Sequence, residues 1–597
     1  MFMVKKNLFF IVISLLISTD CLAAVSTLIT RGSVLPAGIV TTQGISSSKL
    51  DNTSTTAGFV IGTSGYYYLS NDLSYNGTTA DIPCILINSD DVVLDLGSKT
   101  ITVASGISGK AFGVEVASGK NNVVIKNGTI KGMSNCGIVL TSNTNVNIED
   151  ISIVACTGTN VTVKAQGLSA IGCKGIYATN LRVLSNSDTD ADVNGIYLSS
   201  CESSRFNGGN ISANTVGLNG FDVYGTQLSS CVEIAFSDVI FSNNNVTYDA
   251  KNAYGVYLSS CRHCIFTNCS AVANYNGASE DTNTGTSAGF YLTGSTANSF
   301  EGCIADSNYA PQNAYGFAFI SDSDSNSCKK CSANENYNVK TNNSATSNAI
   351  GFYANASDSN QFDECLARHN YNSNDTAATS YDYDAAGFWF QASNANVCQA
   401  CGALNQASLD TASTSTVVGF AAISGSANTF FDCEALYNTT QSTASESIAG
   451  GFLLSAETGS LITNCKANSN NASGLNSKAY GIDLAGTNSR CAIQGCMVTS
   501  NRATSSNGYS FGIFDHATDS TTYLRANTSF GHGHTFSGTS IRNPNSYDMN
   551  FYVAYAESTS MDPMNIIKEA DIANLNIIAE AGGKDIFNWS IVTQAVN

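Results

Sequence analysis

Apolar and polar residues alternate over short segments along most of this chain, and the alternation restarts at regular intervals. Each restart is a glycine followed by a short apolar run, as in Gly-Val-Tyr-Leu at 255–258 and Gly-Phe-Tyr-Leu at 289–292. A fixed period of this kind predicts stacked, nearly identical structural units. The restarting glycines, mostly about 30 residues apart, are Gly113, Gly137, Gly167, Gly195, Gly225, Gly255, Gly289, Gly316, Gly351, Gly387, Gly419, Gly451, Gly481 and Gly512.

Within each unit, four positions repeat, and the unit 289–308 shows all of them. The apolar Phe300 stands 11 residues after Gly289, Cys303 follows 3 residues later, and Ala305 and Asn308 complete the pattern. Alternation over three segments, each ended by a bend-forming residue and none with helical spacing, indicates three strands per turn. We therefore predict about 14 parallel turns, with the asparagines in a hydrogen-bonded ladder and the phenylalanine and alanine positions inside.

The same repeat resembles that of a known superfamily. The run Gly-x-x-Leu, x-x-Ser-x-x-Asn, x-Phe-x-x-Cys, x-Ala-x-x-Asn at 289–308 resembles repeats of the right-handed parallel β-helix superfamily, the pectate-lyase-like fold, and segments 65–73 and 92–101 resemble its first strands. The resemblance covers about residues 60–535. It implies an all-β, single-stranded right-handed parallel β-helix with N- and C-terminal caps. It names no activity, because this fold carries lyases, hydrolases, adhesins and inert scaffolds.

The N-terminus has the features of a secretory signal. Lys5 and Lys6 precede an apolar run from Leu8 to Ile17, and small residues follow up to Ala24. We expect a signal peptide at 1–24, an N-terminal cap and first strands at 25–106, β-helix repeats at 107–535, and a C-terminal cap or attachment segment at 536–597. A lipoprotein signal at Cys21 is the alternative. The mature chain is then secreted or held at the cell surface, and its sequence has no segment that could span a membrane.

Charge narrows the range of partners. Charged residues make up 12% of the chain, and the formal net charge is −19. An acidic surface disfavours nucleic acid, anionic membranes and polyanionic sugars, unless Ca²⁺ mediates the contact. We therefore expect a polysaccharide or a protein surface as the partner and no cofactor, with Ca²⁺ left open.

Cysteine is abundant for an exported chain. The 20 cysteines would ordinarily indicate a disulfide framework, but many of them recur at fixed positions of the repeat. Stacked turns hold such side chains parallel and about 4.8 Å apart, which is wide for a disulfide. We favour buried thiols that act as small apolar fillers over disulfides or a metal site.

An aromatic stripe is the main candidate for binding. If the second residue after each glycine faces solvent, Tyr257, Tyr291, Tyr353 and Trp389 line one outer face. Aromatic rings can stack on sugar rings, although rings along a sheet also pack on one another without any ligand. Both interpretations remain open at this point.

Longer loops at 275–288, 337–350 and 371–386 should stand beside the stripe. In the last of them, Tyr381 and Tyr383 would extend the ligand-binding surface, and Asp382 and Asp384 are candidate Ca²⁺ ligands. The alternative is that the edge of a solenoid simply tolerates changes in loop length.

Candidates for catalysis are few. A hydrolase needs paired carboxylates on an exposed face. Asp483 and Asp515 lie in neighbouring turns, with His516 beside the second, but Asp515 falls one place away from the exposed register. Ordinary surface residues are the alternative interpretation. We therefore expect a non-catalytic binding protein that uses the stripe and its loops, with a polysaccharide lyase or glycoside hydrolase as the alternative.

Overall fold

The computed structural model describes residues 42–77, 82–103, 111–158, 164–217, 221–247, 252–277, 285–340, 348–374, 384–410, 415–504, 508–515, 523–525, 527–530 and 551–553. The predicted signal peptide and most of the predicted C-terminal segment lie outside these residues. Within them the chain is built from β-strands and one 3-10 turn at Ser47–Lys49, with no α-helix.

The strands wind into a right-handed parallel β-helix, as predicted, with about 13 turns where about 14 were expected. Each turn runs in order through a glycine strand, a phenylalanine strand and an alanine strand, each named after its repeating residue. A short connecting strand then follows the ladder asparagine. The first three correspond to the predicted segments, and the connecting strand was not predicted. In each column, consecutive strands pair in parallel, as Asn252–Ser259 does with Thr286–Thr293.

The bounds of the strands follow from this order. The glycine strands are Phe59–Ile61, Ile82–Ile87, Ala111–Val116, Cys136–Thr141, Ala165–Ile171, Val193–Ser199, Val223–Ser229, Asn252–Ser259, Thr286–Thr293, Asn313–Ile320, Asn348–Asn355, Ala385–Gln391, Ser415–Ile423 and Tyr509–Asp515. The connecting strands are Ser187–Asp188, Thr215–Val216, Asn245–Val246, Tyr275–Asn276, Tyr309–Ala310, Tyr337–Lys340, Tyr371–Asn374, Ala407–Asp410 and Arg502–Ala503. Two long strands join a connecting strand to the next glycine strand: Thr439–Ser455 and Asn471–Ala485.

On the other faces, the phenylalanine strands are Thr42–Ile45, Gly65–Leu69, Val232–Ser237, Ile265–Thr267, Ser299–Glu301, Ser327–Lys329, Gln361–Asp363, Val397–Gln399, Thr429–Phe431, Leu461–Thr463, Ala492–Gln494 and Tyr523–Arg525. The alanine strands are Leu73–Tyr75, Ile240–Ser242, Ser270–Val272, Ser332–Asn334, Leu366–Arg368, Gly402–Leu404, Glu434–Leu436, Lys466–Asn468, Met497–Thr499, Thr528–Phe530 and Phe551–Val553. In five early turns the two types are continuous: Val92–Val103, Asn121–Lys131, Thr144–Val154, Lys174–Leu184 and Glu202–Ser212.

Equivalent positions lie directly above one another, which builds the core. Phe266 pairs in register with Phe236 below and Phe300 above, and its ring centroid lies 5.3 Å and 5.1 Å from theirs. All three rings are fully buried. Burying large aromatic side chains is the main favourable term for folding, so this stack holds the turns together along the axis.

The repeating glycine is required by close packing. A Cβ on Gly316 would lie 2.5 Å from Ala333 Cβ, 2.6 Å from the Gly351 carbonyl oxygen and 3.1 Å from Asn336 Nδ2. Three of the repeated positions therefore meet at one point inside the turn, and only glycine leaves room for the other two.

The predicted asparagine ladder is present. Asn274 Nδ2 donates to Asn308 Oδ1 over 2.9 Å, and Asn308 Nδ2 donates to Asn336 Oδ1 over 2.8 Å. Gln406 takes the ladder position in its turn and accepts from Asn370. A second interior ladder, which was not predicted, includes the bond from Asn298 Nδ2 to Asn326 Oδ1 at 3.0 Å. These bonds satisfy polar groups that would otherwise be buried without partners.

The described part of the predicted C-terminal segment is the strand Phe551–Val553. It pairs in parallel with Thr528–Phe530 and so continues the alanine column beyond residue 535. The proposed cap or attachment role of 536–597 lies otherwise outside the described residues.

Candidate functional site

The outward side of the glycine strands, called the outer face below, carries a continuous group of aromatic residues outside the core. Where Val223–Ser229 pairs with Asn252–Ser259, Tyr224 lies opposite Tyr254 and Thr226 lies opposite Val256. Gly225 and Gly255 stand between these two pairs. In the turns between Gly225 and Gly451, residues directly before the glycine or two places after it form an apolar cluster. This cluster is separate from the main core, in which Val256 lies. The glycine therefore interrupts simple alternation, and two columns of side chains point outward instead of one.

The predicted stripe lies on this outer face, but it is not an exposed stripe. Tyr353 is 8% exposed and Trp389 is 6% exposed, so the expectation that they face solvent is wrong. Tyr257 and Tyr291 are half-buried. The physical reason is the second outward column, whose side chains pack beside the stripe: the Tyr315 ring lies 5.1 Å from that of Tyr353.

Within the stripe the rings also pack on one another, as the alternative interpretation expects. The rings of Tyr257 and Tyr291 are stacked with centroids 5.7 Å apart, and Trp389 stands edge-on to Tyr353 at 5.7 Å. The Tyr353 hydroxyl donates to Gln391 Oε1 over 2.8 Å. Tyr353 and Trp389 are therefore structural residues of the outer face and offer little free ring surface to a ligand.

The predicted loop residues are only partly described. Tyr381, Asp382 and Tyr383 lie outside the described residues. Asp384 is buried, and its Oδ2 accepts hydrogen bonds from the Thr416 amide at 2.9 Å and from the Ser408 hydroxyl at 3.2 Å. The expectation of an exposed loop carboxylate for Ca²⁺ is wrong for Asp384, because this carboxylate binds the backbone of the next turn.

The predicted acidic pair does not converge in register. Asp483 is half-buried on the outer face and pairs with Phe514, whereas Asp515 pairs with Leu484, a core residue. This agrees with the expected offset of one place. The Asp515 side chain and His516 lie outside the described part of the chain, so their catalytic role stays a prediction.

A different set of polar side chains lies on the outer face, at the N-terminal end of its apolar cluster. We call it the polar end and define it by Lys164, Gln166, Asp192, Asn194, Tyr197, Asp222, Tyr224, Gln227, Asn252 and Tyr257. These residues occupy the same few positions of four consecutive turns. Asn194 pairs in register with Gln166 below and Tyr224 above, and Gln227 lies between Tyr197 and Tyr257.

The carboxylates of the polar end are held in place. Lys164 Nζ lies 2.7 Å from Asp192 Oδ2, and the Asp222 amide donates to Asp192 Oδ1 over 3.1 Å. Asp222 accepts from the Tyr224 hydroxyl at 2.8 Å and from Asn252 Nδ2 at 2.9 Å. Burial, followed by the charge of Asp222, raises the pKa of Tyr224, so its phenol stays protonated and keeps donating at neutral pH.

One side chain of the polar end is buried without a partner. Asn194 is 1% exposed, and neither its Nδ2 nor its Oδ1 has a hydrogen-bond partner within the protein. Buried amides are nearly always hydrogen-bonded, so an unfilled amide at the edge of a polar cluster indicates a place for a further group.

A second aromatic surface lies on the connecting strands. Tyr275, Tyr309, Tyr337 and Tyr371 face outward in consecutive turns, and Tyr275 is 39% exposed. The rings of Tyr275 and Tyr309 are stacked at 4.6 Å, so this tyrosine column presents ring edges and hydroxyls more than ring faces. This column was not predicted, although a tyrosine directly follows the ladder asparagine in each of these four turns.

The cysteines of the described residues are all buried and free of disulfides. Cys303 Sγ donates to the Phe266 carbonyl oxygen over 3.3 Å, and Cys331 Sγ to that of Phe300 over 3.4 Å. Burial raises the pKa of the Cys84 and Cys156 thiols to about 12. In the described ranges, no group of three or more His, Cys, Asp or Glu side chains could hold a metal ion. The burial of these thiols and their hydrogen bonds to backbone carbonyls fit the predicted role as small apolar fillers.

No helix among the described residues is long and apolar enough to cross a membrane. Neither the protein-family models nor the curated proteins compared with this chain match it.

Several solved structures resemble the fold of this chain. The Azotobacter vinelandii mannuronan C-5 epimerase AlgE6 A-module is 12% identical over 78% of this chain and 91% of its own, with a TM-score of 0.25. The periplasmic alginate epimerase AlgG is 9% identical over 78% and 84%, with a TM-score of 0.28. PfbA, a surface adhesin of Streptococcus pneumoniae, is 10% identical over 72% and 84%, with a TM-score of 0.22. Scores this low carry no functional argument, so the assignment as a parallel β-helix rests on the strand register itself.

Proposed function

We propose that the chain is an exported, non-catalytic glycan-binding protein whose recognition surface is the polar end of the outer face. The observation that supports this most is the combination found there. The half-buried Tyr257 ring lies 5.3 Å from the ring of Tyr224, whose hydroxyl donates to Asp222. The half-buried Tyr197 occupies the same outward column as Tyr257, two turns earlier. An apolar ring surface with a few placed polar groups suits a sugar, whose ring has an apolar face and a rim of hydroxyls.

The contacts of the polar end favour binding over hydrolysis. A glycoside hydrolase needs one carboxylic acid that keeps its proton until it reaches the leaving group. Asp222 accepts two side-chain hydrogen bonds and Asp192 pairs with Lys164, so groups of the protein already engage both carboxylates. Tyr224 is a poor acid because its pKa is raised. The alternative of a hydrolase or lyase has no supporting contact among the described residues.

A glycan array tests this proposal. The mature chain is screened in parallel with Tyr257→Ala, which removes a ring of the polar end, and with Tyr309→Ala, a matched control in the tyrosine column. We expect binding to be lost in the first variant and retained in the second. Loss with Tyr309→Ala alone would move the recognition surface to the connecting strands. Absence of binding to any glycan by the unaltered chain would refute the proposal.

A further inference from the structure

We infer that a second surface, near the N-terminal end of the β-helix and on the outward side of its phenylalanine strands, binds a short oligosaccharide through its hydroxyls. We call it the Tyr68 patch and define it by Tyr66, Tyr68, Asp95, Lys126 and Glu149. All of these except Tyr66 stand above one another in register, in four consecutive turns. The patch shares no residue with the polar end, so this inference goes beyond the proposed recognition surface.

The first step concerns the ring of Tyr68. Inward and outward residues alternate in the strand Gly65–Leu69, so Tyr66 and Tyr68 both point outward. Tyr68 is 40% exposed, and its ring is tilted by 34° from that of Tyr66 with the centroids 6.5 Å apart, so the two rings are not stacked. Part of the Tyr68 ring lies against Gly44 of the preceding turn, where a Cβ would be only 3.2 Å from Cζ. The glycine therefore makes room for a ring that keeps an exposed side.

The second step concerns the groups that the protein already holds in place. Asp95 Oδ2 accepts from the Tyr66 hydroxyl over 2.6 Å. Asp95 Oδ1 accepts from the Gly97 amide at 2.8 Å and from Asn127 Nδ2 at 3.1 Å. Burial alone would raise the pKa of Asp95, but these hydrogen bonds lower it, whereas the bond to Asp95 raises the pKa of Tyr66 to about 12. A phenol held in this way is a poor base, so the patch is suited to binding and not to removing a proton.

The third step concerns two charged groups that keep unfilled hydrogen-bonding capacity. Lys126 Nζ lies 3.9 Å from Asp95 Oδ2, too far for a hydrogen bond, and its side chain is 22% exposed. Glu149 pairs in register with Lys126 and is half-buried. Among the described residues, neither Lys126 nor Glu149 makes a hydrogen bond. An ammonium needs acceptors and a carboxylate needs donors, and a sugar hydroxyl supplies both.

The fourth step concerns the size of the ligand. Tyr68 and Glu149 are three turns apart, which is about 14 Å along the axis at about 4.8 Å per turn. An exposed ring at one end and unfilled polar groups at the other suit a ligand with apolar ring faces and a rim of hydroxyls. Because the patch is longer than one sugar ring, it fits a short linear oligosaccharide that runs along the β-helix axis.

Lysine labelling followed by mass spectrometry tests this inference. The mature chain is acetylated with and without neutral gluco-, manno- and xylo-tetrasaccharides. At a ligand concentration of about ten times Kd, we expect at least one of them to slow the labelling of Lys126 by about 10-fold. Lys174, which is exposed and paired with Glu202, is the internal control and should be unaffected. Lys164 reports on the polar end in the same experiment, so the two surfaces succeed or fail separately.

Variants of the patch provide the second test. Tyr68→Ala and Lys126→Met should each weaken binding of the protecting tetrasaccharide by about 10-fold, because the first removes the ring and the second removes the ammonium but keeps most of its stem. Gly44→Val keeps every group of the patch and should also weaken binding, since its side chain displaces the Tyr68 ring. The matched control is Tyr275→Ala, which removes a tyrosine of nearly the same exposure from the tyrosine column and should leave binding unchanged.

The melting temperature separates binding from folding. Tyr68 and Lys126 are partly exposed, so their replacement should change affinity without lowering the melting temperature. Absence of Lys126 protection by every tetrasaccharide of the panel would overturn the inference. Protection that is equally strong in Tyr68→Ala and in the unaltered chain would overturn it as well.

Discussion

Gly450 and Gly451 are neighbours in the strand Thr439–Ser455, but only Gly450 has room for a side chain. A Cβ on Gly451 would lie 2.5 Å from the Gly481 carbonyl oxygen and 2.6 Å from Ala467 Cβ. A Cβ on Gly450 would have its nearest contact with Val418 Cγ2, at 3.6 Å. Contacts between carbon atoms are most favourable at about 3.5–4.0 Å. The contacts at Gly451 are much shorter than this, and the contact at Gly450 falls in the favourable range.

We predict that Gly451→Ala destabilises the chain and that Gly450→Ala does not. Relieving the clash requires the next turn to move by about 1 Å, and overpacking of this kind costs about 1–3 kcal/mol. Both substitutions also restrict the unfolded chain, which stabilises the folded state by about 0.4–1 kcal/mol in each case. Because this second effect is shared, the difference between the two variants isolates the packing cost of about 1–3 kcal/mol.

Urea unfolding followed by circular dichroism measures this difference. Long repeat arrays can lose two-state behaviour, so amide hydrogen exchange of the turns around residue 451 should accompany it. Ala467→Gly added to Gly451→Ala should restore only part of the loss, because the Gly481 carbonyl oxygen remains in place. Equal stability of Gly450→Ala and Gly451→Ala would show that the turns are not packed as closely as the structure indicates.

Three further predictions follow from the core and the outer face. Asn308→Ala removes the ladder bonds to both neighbouring turns. It should lower the free energy of unfolding by about 1–3 kcal/mol for each buried donor left unpaired. Urea unfolding measures this loss, and an unchanged midpoint would contradict a continuous ladder. Burial raises the pKa of Asp188, whose Oδ2 has no hydrogen-bond partner, so its carboxyl group contributes stability at low pH that is lost as the pH rises through the folded pKa. Asp188→Asn should therefore be more stable than the unaltered chain at pH 7, with a gain that shrinks towards pH 4, and a gain independent of pH in urea titrations would refute this assignment. Trp389 is one of two tryptophans, so a Trp589→Phe variant reports on Trp389 alone. Its fluorescence emission should be blue-shifted and resistant to quenching by acrylamide, because the ring is buried. Quenching typical of an exposed tryptophan would show that the stripe faces solvent after all.

Much of the fold was predictable because a solenoid turns sequence spacing into spatial contact. Once the turns stack in register, every residue at a given repeat position contacts its equivalents above and below. The spacing of Gly316, Ala333 and Asn336 in the sequence therefore already predicts that the three residues pack together inside one turn. The same logic predicted the phenylalanine stack and the ladder. Gln406 shows its limit, since the ladder accepts a longer amide that the asparagine pattern does not include.

Less of the candidate site was predictable. Strict alternation after each glycine predicts a single outward column. The interruption at the glycine creates a second outward column, which covers Tyr353 and Trp389. Reading the residue before each glycine as well would have found Asn194 and Tyr224. Lys164 and Asp192 are 28 residues apart and show no motif, so only the register of the turns identifies them as a pair.

The sequence by itself determined the repeat, the interior of each turn and the vertical register, because these depend on residue type at fixed spacing. Only the tertiary structure decided which outward side chains remain accessible and which polar groups meet. The physical reason is that exposure depends on the neighbours in the adjacent column as well as on a residue's own position. Trp389 is buried by such neighbours, and Asn194 is left without a partner by them.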